Sequence, residues 1–131
     1  MSERVSYAGG CHCGAVRFVV EADARPECHE CNCSVCSMSG YIHLIVPSSR
    51  FSLTRGQDAL STYTFGSGVA QHTFCRTCGI KPFYMPRSNP DGVDVNLRCL
   101  DEPPEYVLEP FDGQDWEKNA ASLAHLSAEA P

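Results

Sequence analysis

Four cysteines fall within nine residues, Cys28-His29-Glu30-Cys31-Asn32-Cys33-Ser34-Val35-Cys36, and two thiol pairs flank them at a distance, Cys11-His12-Cys13 and Cys75-Arg76-Thr77-Cys78. No other feature constrains the fold as strongly. A short loop between two cysteines points both thiolates at one centre, which is how proteins hold tetrahedral zinc. The spacing predicts two zinc ions per chain, one in a closed shell and one with an open coordination position. Function is expected at the open one.

Nine cysteines in 131 residues is a density shared by disulfide scaffolds and metal domains. The odd count favours metal, as does an opening Met1-Ser2-Glu3-Arg4 without an apolar signal segment, because cytoplasmic thiols stay reduced. The length predicts one domain over 1–131, with a core at about 9–119. No apolar run approaches the ~20 residues of a membrane span. The formal charge of −6 grows more negative once cysteines bind as thiolates. Such a surface repels phosphate backbones, so nucleic acid is not expected as a partner.

Along the chain, residues 1–8 read as a lead-in. Cys11 and Cys13 are two apart, so an extended backbone turns both sulfurs to one side. Gly14 has no Cβ and lets the backbone turn close to a metal. Strands are predicted over 15–20, 41–46, 60–65 and 69–74, the last two as a hairpin that delivers Cys75. Further strands are predicted over 80–85, at an edge because Pro82 lies inside it, and over 93–97 and 106–108. Cys31 and Cys33 are expected on one strand face, with Cys36 returning after a two-residue loop, 37–40 as a bend and 48–52 as a loop. One helix is predicted over 114–126, where Trp116, Ala120, Leu123 and Ala124 form a stripe that can dock on a sheet. The class is mainly β with a C-terminal α-helix.

The thiol pairs allow more than one reading. Cys11, Cys13, Cys75 and Cys78 would make a closed, structural zinc site; four unrelated core cysteines are the alternative. Cys31, Cys33 and Cys36 would supply three thiolates and leave a fourth position open, the pattern of catalytic zinc. Cys28 could close that shell, although strand alternation would turn it away. His12 and His29 lie beside ligands and could orient a thiolate or move a proton. His43 and His72 sit in strands and read first as packed histidines. Cys99 reads as a small buried hydrophobe. Arg76, Lys81 and Arg87 could receive a substrate carboxylate, but a solvated surface is the simpler account.

Three motifs in order, GGCHCG at 9–14, CNCSVC at 31–36 and FCRTCG at 74–79, resemble the glutathione-dependent formaldehyde-activating enzyme family. The stretches IVPSSRF, TYTF, AQHTFCRTCG, FYMPRSNPDG, RCLDE and FDGQDWEK are similar to its centromere protein V-like branch. The resemblance covers about 9–119 and implies a zinc-bearing β-tent of antiparallel sheets. It also implies carbon–sulfur lyase chemistry that joins glutathione to formaldehyde as S-(hydroxymethyl)glutathione. By position, Cys11, Cys13, Cys75 and Cys78 would hold the structural zinc, and Cys31, Cys33 and Cys36 the catalytic one. The chain departs from the family pattern in two ways. Asn32 stands where members often have His, and Ser37 and Met38 stand where many have a basic residue. The expected mechanism is Lewis-acid activation of a substrate thiol for attack on formaldehyde, with His29, His43 and His72 as candidates for proton transfer. A non-enzymatic zinc module for protein interaction and a thiol redox sensor are the readings from other classes.

Overall fold

The computed structural model describes residues 4–128; the opening residues 1–3, to which the reading of the chain start applies, lie outside the described residues. Ten strands follow in order: β1 (Arg4–Gly10), β2 (Arg17–Asp23), β3 (Glu27–Cys31), β4 (Ile42–Pro47), β5 (Phe51–Arg55), β6 (Leu60–Tyr63), β7 (His72–Cys75), β8 (Phe83–Tyr84), β9 (Gly92–Asn96) and β10 (Val107–Phe111). A short helix, α1 (Ser34–Ser39), joins β3 to β4, and a helical tail over 113–127 contains one α-helical turn, α2 (Trp116–Asn119).

The strands form a three-stranded sheet β1-β2-β5, a five-stranded sheet β10-β3-β4-β9-β8 and the hairpin β6-β7. Every pairing is antiparallel except β3 with β10, which run parallel from Val107 beside Glu27 to Phe111 beside Cys31. The class is mainly β with a C-terminal helical segment, as expected. β8 is an edge strand, as expected, but of the strand expected over 80–85 only Phe83–Tyr84 forms, and Pro82 lies just before it.

Alternation along the five-stranded sheet positions the site. Cys28 of β3, Ile42, Leu44 and Val46 of β4, Phe83 of β8, and Val93 and Val95 of β9 turn one way and share a core with Phe18 and Val20 of β2. Phe18 stacks on Phe51 at 5.4 Å and meets Phe83 edge-on at 6.3 Å, which ties the two sheets together. Burying each such ring stabilises the fold by roughly 1.5–3 kcal/mol. The intervening residues (His29, Cys31, His43, Ile45, Tyr84 and Asp94) turn the other way and line a cavity, under the tail. Period two therefore divides one sheet into a packing face and a polar face.

Several local expectations change. The lead-in is largely strand β1, whose alternating exposure marks a half-covered strand. The loop expected at 48–52 becomes one 3₁₀ turn and then β5. Cys33 and Cys36 do not continue β3: Cys33 caps α1 and Cys36 lies within it, with Gly40 closing the helix at φ 65°. The C-terminal helix is mostly 3₁₀. Three residues per turn bring Leu123 and Leu126 against Ile45 and Phe111, and leave Ala124 exposed. Asn119 and Ser122 side chains bond nearby backbone carbonyls there, competing with α-helical pairing.

Candidate metal centres and the adjoining cavity

The first centre forms where two local turns meet. The turn between β1 and β2 is closed by the Gly14 amide donating to the Cys11 carbonyl (3.2 Å) and by Cys11 donating to Val16 (3.1 Å). The turn after β7 is closed by Gly79 donating to the Cys75 carbonyl (2.8 Å). Gly14 and Gly79 have φ of 81° and 76°, and a Cβ would meet nothing within 4 Å at either. The left-handed backbone, rather than close approach to a metal, is what requires glycine there. The sulfurs of Cys11, Cys13, Cys75 and Cys78 all lie within 4.8 Å of one another. Cys13 is 3.7 Å from Cys11 and 3.6 Å from Cys75. Zinc–sulfur bonds of about 2.3 Å in a tetrahedron require sulfur separations of about 3.8 Å, so the donor set fits that ion. Amides of Val16 and Thr77 donate to Cys11 and Cys75 sulfurs at 3.3 and 3.4 Å, and backbone amides lower the pKa of Cys75. Against desolvation, amides and neighbouring thiols lower Cys78 to about 6.

The second centre brings together Cys31, Cys33 and Cys36, again within 4.8 Å. Cys28 is not among them. It is fully buried in the packing core on the opposite face, where burial pushes its thiol up to about 12. Three positions along a strand reverse the side, which separates Cys28 from Cys31. Within the three, hydrogen bonding from Cys31 and Cys36 holds the Cys33 thiol far below its ordinary value, while the same contacts raise Cys36 well above it. Three sulfurs this close cannot all ionise unless a cation sits among them, so this donor set too fits a metal ion.

Asn32 has a structural role. Its side chain donates to Asp112 (3.1 Å) and accepts from the Gln114 amide (3.0 Å), tying the β3–α1 junction to the tail. Gly113 consequently lies against the Cys31 sulfur.

The three-sulfur centre opens on a cavity of about 220 Å³ that also meets Phe65, Arg87 and Trp116. On its floor, His43 Nδ1 lies 2.6 Å from Asp94 Oδ2. Tyr41 donates to the Asp94 backbone carbonyl at 2.5 Å. His72 Nδ1 lies 2.7 Å from Lys81 Nζ, and the ring stacks on Tyr84 at 4.7 Å. An ammonium only donates, so His72 accepts at Nδ1 and carries its proton on Nε2. Burial, reinforced by the Lys81 charge, lowers His72 to about 4 and keeps it neutral. Lys81 is no solvated surface residue: its ammonium lies 3.8 Å over the Tyr84 ring, and burial lowers its pKa. Arg87 stacks on Trp116 at 3.9 Å and pairs with Glu117. Arg76 is exposed, and His12 is exposed beside the first centre. Cys99 is half-buried, its thiol directed at the Lys81 carbonyl (3.8 Å).

Asp94 and Tyr84 escaped the sequence reading. A carboxylate in the otherwise apolar Val93-Asp94-Val95 is the signal that could have found one of them, since buried charges need partners.

Residues 6–118 match the family profile described as glutathione-dependent formaldehyde-activating enzyme. A crystal structure of a Rhodobacter sphaeroides protein, a structural-genomics target, superposes with a TM-score of 0.68 at 36% identity, over 76% of this chain and 99% of that one. Among the described residues, no helix is long and apolar enough to cross a membrane.

Proposed function

The chain belongs to the glutathione-dependent formaldehyde-activating enzyme family, and on that premise we propose that it is a zinc-dependent carbon–sulfur lyase. It would join a thiol such as glutathione to formaldehyde as S-(hydroxymethyl)glutathione, and release the two in reverse. One observation carries the reading: four sulfurs close the first centre, whereas Cys31, Cys33 and Cys36 supply three beside a cavity. Cys11, Cys13, Cys75 and Cys78 would then hold a structural zinc, and Cys31, Cys33 and Cys36 a second zinc at the reacting position. A zinc ion there supplies the Lewis acidity that makes a coordinating thiol a thiolate at neutral pH.

The chain's own residues bind and shelter the substrate. Phe65 and Trp116 wall the cavity against water, and Arg87 places a cation at its edge that can receive a substrate carboxylate. The module reading needs a fourth sulfur at the second centre; Cys28, its candidate, packs in the core instead. Nine free thiols support a reducing, cytoplasmic setting. The motif stretches support the centromere protein V-like branch, and the shared core supports one domain over the chain.

Calorimetric titration of glutathione and of 2-mercaptoethanol into zinc-loaded protein tests the reading. Both should bind, more tightly as pH rises toward the thiol pKa, because only the thiolate coordinates. Absence of thiol binding, with no acceleration of adduct formation from glutathione and formaldehyde, sinks the lyase.

A further inference from the structure

Among the described residues, three atoms on the cavity's floor are buried without a protein partner: His29 Nδ1, His43 Nε2 and Asp94 Oδ1. An unpaired buried polar atom is costly, so their clustering marks a place prepared for a ligand's polar atoms. We propose that His43 carries the proton between the substrate thiol and the aldehyde oxygen, with Asp94 as its positioning residue. This rests on the lyase reading above and adds the acid–base group that reading lacks.

The geometry selects His43. Asp94 Oδ2 at 2.6 Å accepts from Nδ1, so the proton sits on Nδ1 and Nε2 presents a bare lone pair. Both side chains are almost wholly enclosed, at 6% and 1% exposure, and Tyr41 packs on the imidazole at 4.6 Å. His72 has the opposite tautomer, held by Lys81, and can donate but not accept. His29 resembles His43 in having one unpartnered nitrogen, but its partner Glu27 is 3.2 Å away, substantially exposed and shared with His125. The buried carboxylate orients its imidazole more firmly than the exposed one.

The step balances without a co-reactant. The thiol S–H bond breaks and its proton passes to His43 Nε2. The sulfur pair forms the C–S bond, the carbonyl π pair moves onto oxygen, and that oxygen takes the proton back from Nε2. Nothing is oxidised or reduced, and cleavage retraces the same path. The titratable and charged groups facing His43 are Asp94, Tyr84, Tyr41, His29, His72 and Cys33, with Lys81 behind His72.

Zinc-loaded full-length protein would be mixed with glutathione and formaldehyde, and hydroxymethyl exchange followed by NMR exchange spectroscopy. His43→Gln should slow exchange by about 10²–10⁴-fold while zinc content and calorimetric glutathione binding persist. Imidazole added to His43→Ala should restore much of the lost rate, which a purely structural role would not allow. Independently of activity, side-chain ¹⁵N spectra of the wild type should place the His43 proton on Nδ1 and the His72 proton on Nε2, and Asp94→Asn should abolish the first assignment. An active wild type whose rate survives His43→Gln overturns this proposal and leaves the lyase standing. A larger loss in His29→Gln, or a His43 proton found on Nε2, likewise overturns it. A wild type that accelerates no exchange removes the lyase reading, and this proposal with it.

Discussion

Replacing Gly113 by alanine should weaken the second centre's hold on its ion without altering a single sulfur. An added Cβ would lie 2.3 Å from Cys31 Sγ, 3.0 Å from Cys33 Cβ and 3.3 Å from the Cys33 amide nitrogen. Gly113 is not among the glycines with positive φ, so alanine meets no backbone penalty and only space is lacking. Non-bonded heavy atoms need about 3.5–4.0 Å, so Cys31 Sγ must retreat by more than about 1 Å, or the segment around 113 must lift. Lifting would break the Asn32–Gln114 hydrogen bond. A metal site tolerates about 0.2 Å in its ligand distances. Overpacking strain of about 1–3 kcal/mol corresponds to a roughly 5- to 150-fold weaker hold on the second ion. Competition against a chromophoric chelator, with metal counting by plasma mass spectrometry, should find one tight ion unchanged and one weakened, while unfolding stays cooperative. A Gly113→Ala protein that keeps the second ion at wild-type affinity would refute the packing argument.

The two centres should fail differently. Cys75→Ser breaks the link between the β1–β2 turn and β7 and should abolish cooperative unfolding, because structural zinc contributes about 10–16 kcal/mol in apparent terms; Cys36→Ser should leave a folded chain with one ion. Equal loss of cooperativity in both variants, followed by circular dichroism, would contradict that division. Cys28→Ser should lower stability by about 1–3 kcal/mol in denaturant titrations, since it sets a hydroxyl in an apolar core, and should leave thiol binding unchanged; lost or newly gained thiol binding would make Cys28 a ligand. His72, lowered from 6.5 to about 4, binds more protons unfolded than folded between those values, so its contribution is complete above about 6.5 and is lost as pH falls toward 4. At saturating zinc, wild type should gain up to about 3 kcal/mol relative to His72→Gln across that window, and a pH-independent difference would exclude the linkage.

The thiol pairs were legible in the sequence because each half of a metal centre is a local turn, and local turns are written in adjacent residues. The β-rich run at 15–20 marked a strand that forms at Arg17–Asp23, and a strand next to Pro82 does lie at a sheet edge. The tail was half-legible: apolar spacing marked a helix, but three- and four-residue spacing does not distinguish α from 3₁₀ until Leu123 and Leu126 find Ile45 and Phe111. Tertiary structure alone decided which thiols and histidines share the cavity. Cys28 and Cys31 part company because β3 is held between β4 and β10 with one face on the core. His43 meets Asp94, 51 positions away, only through the β4–β9 register that sets Ile45 opposite Asp94. Gly113 reaches Cys31 because β10 lies parallel to β3 and returns the chain to the sulfurs. A ligand pair is a property of neighbours along the chain, whereas a one-residue slip between distant strands would turn His43 and Asp94 to opposite faces of the sheet, and nothing local to either residue encodes that pairing.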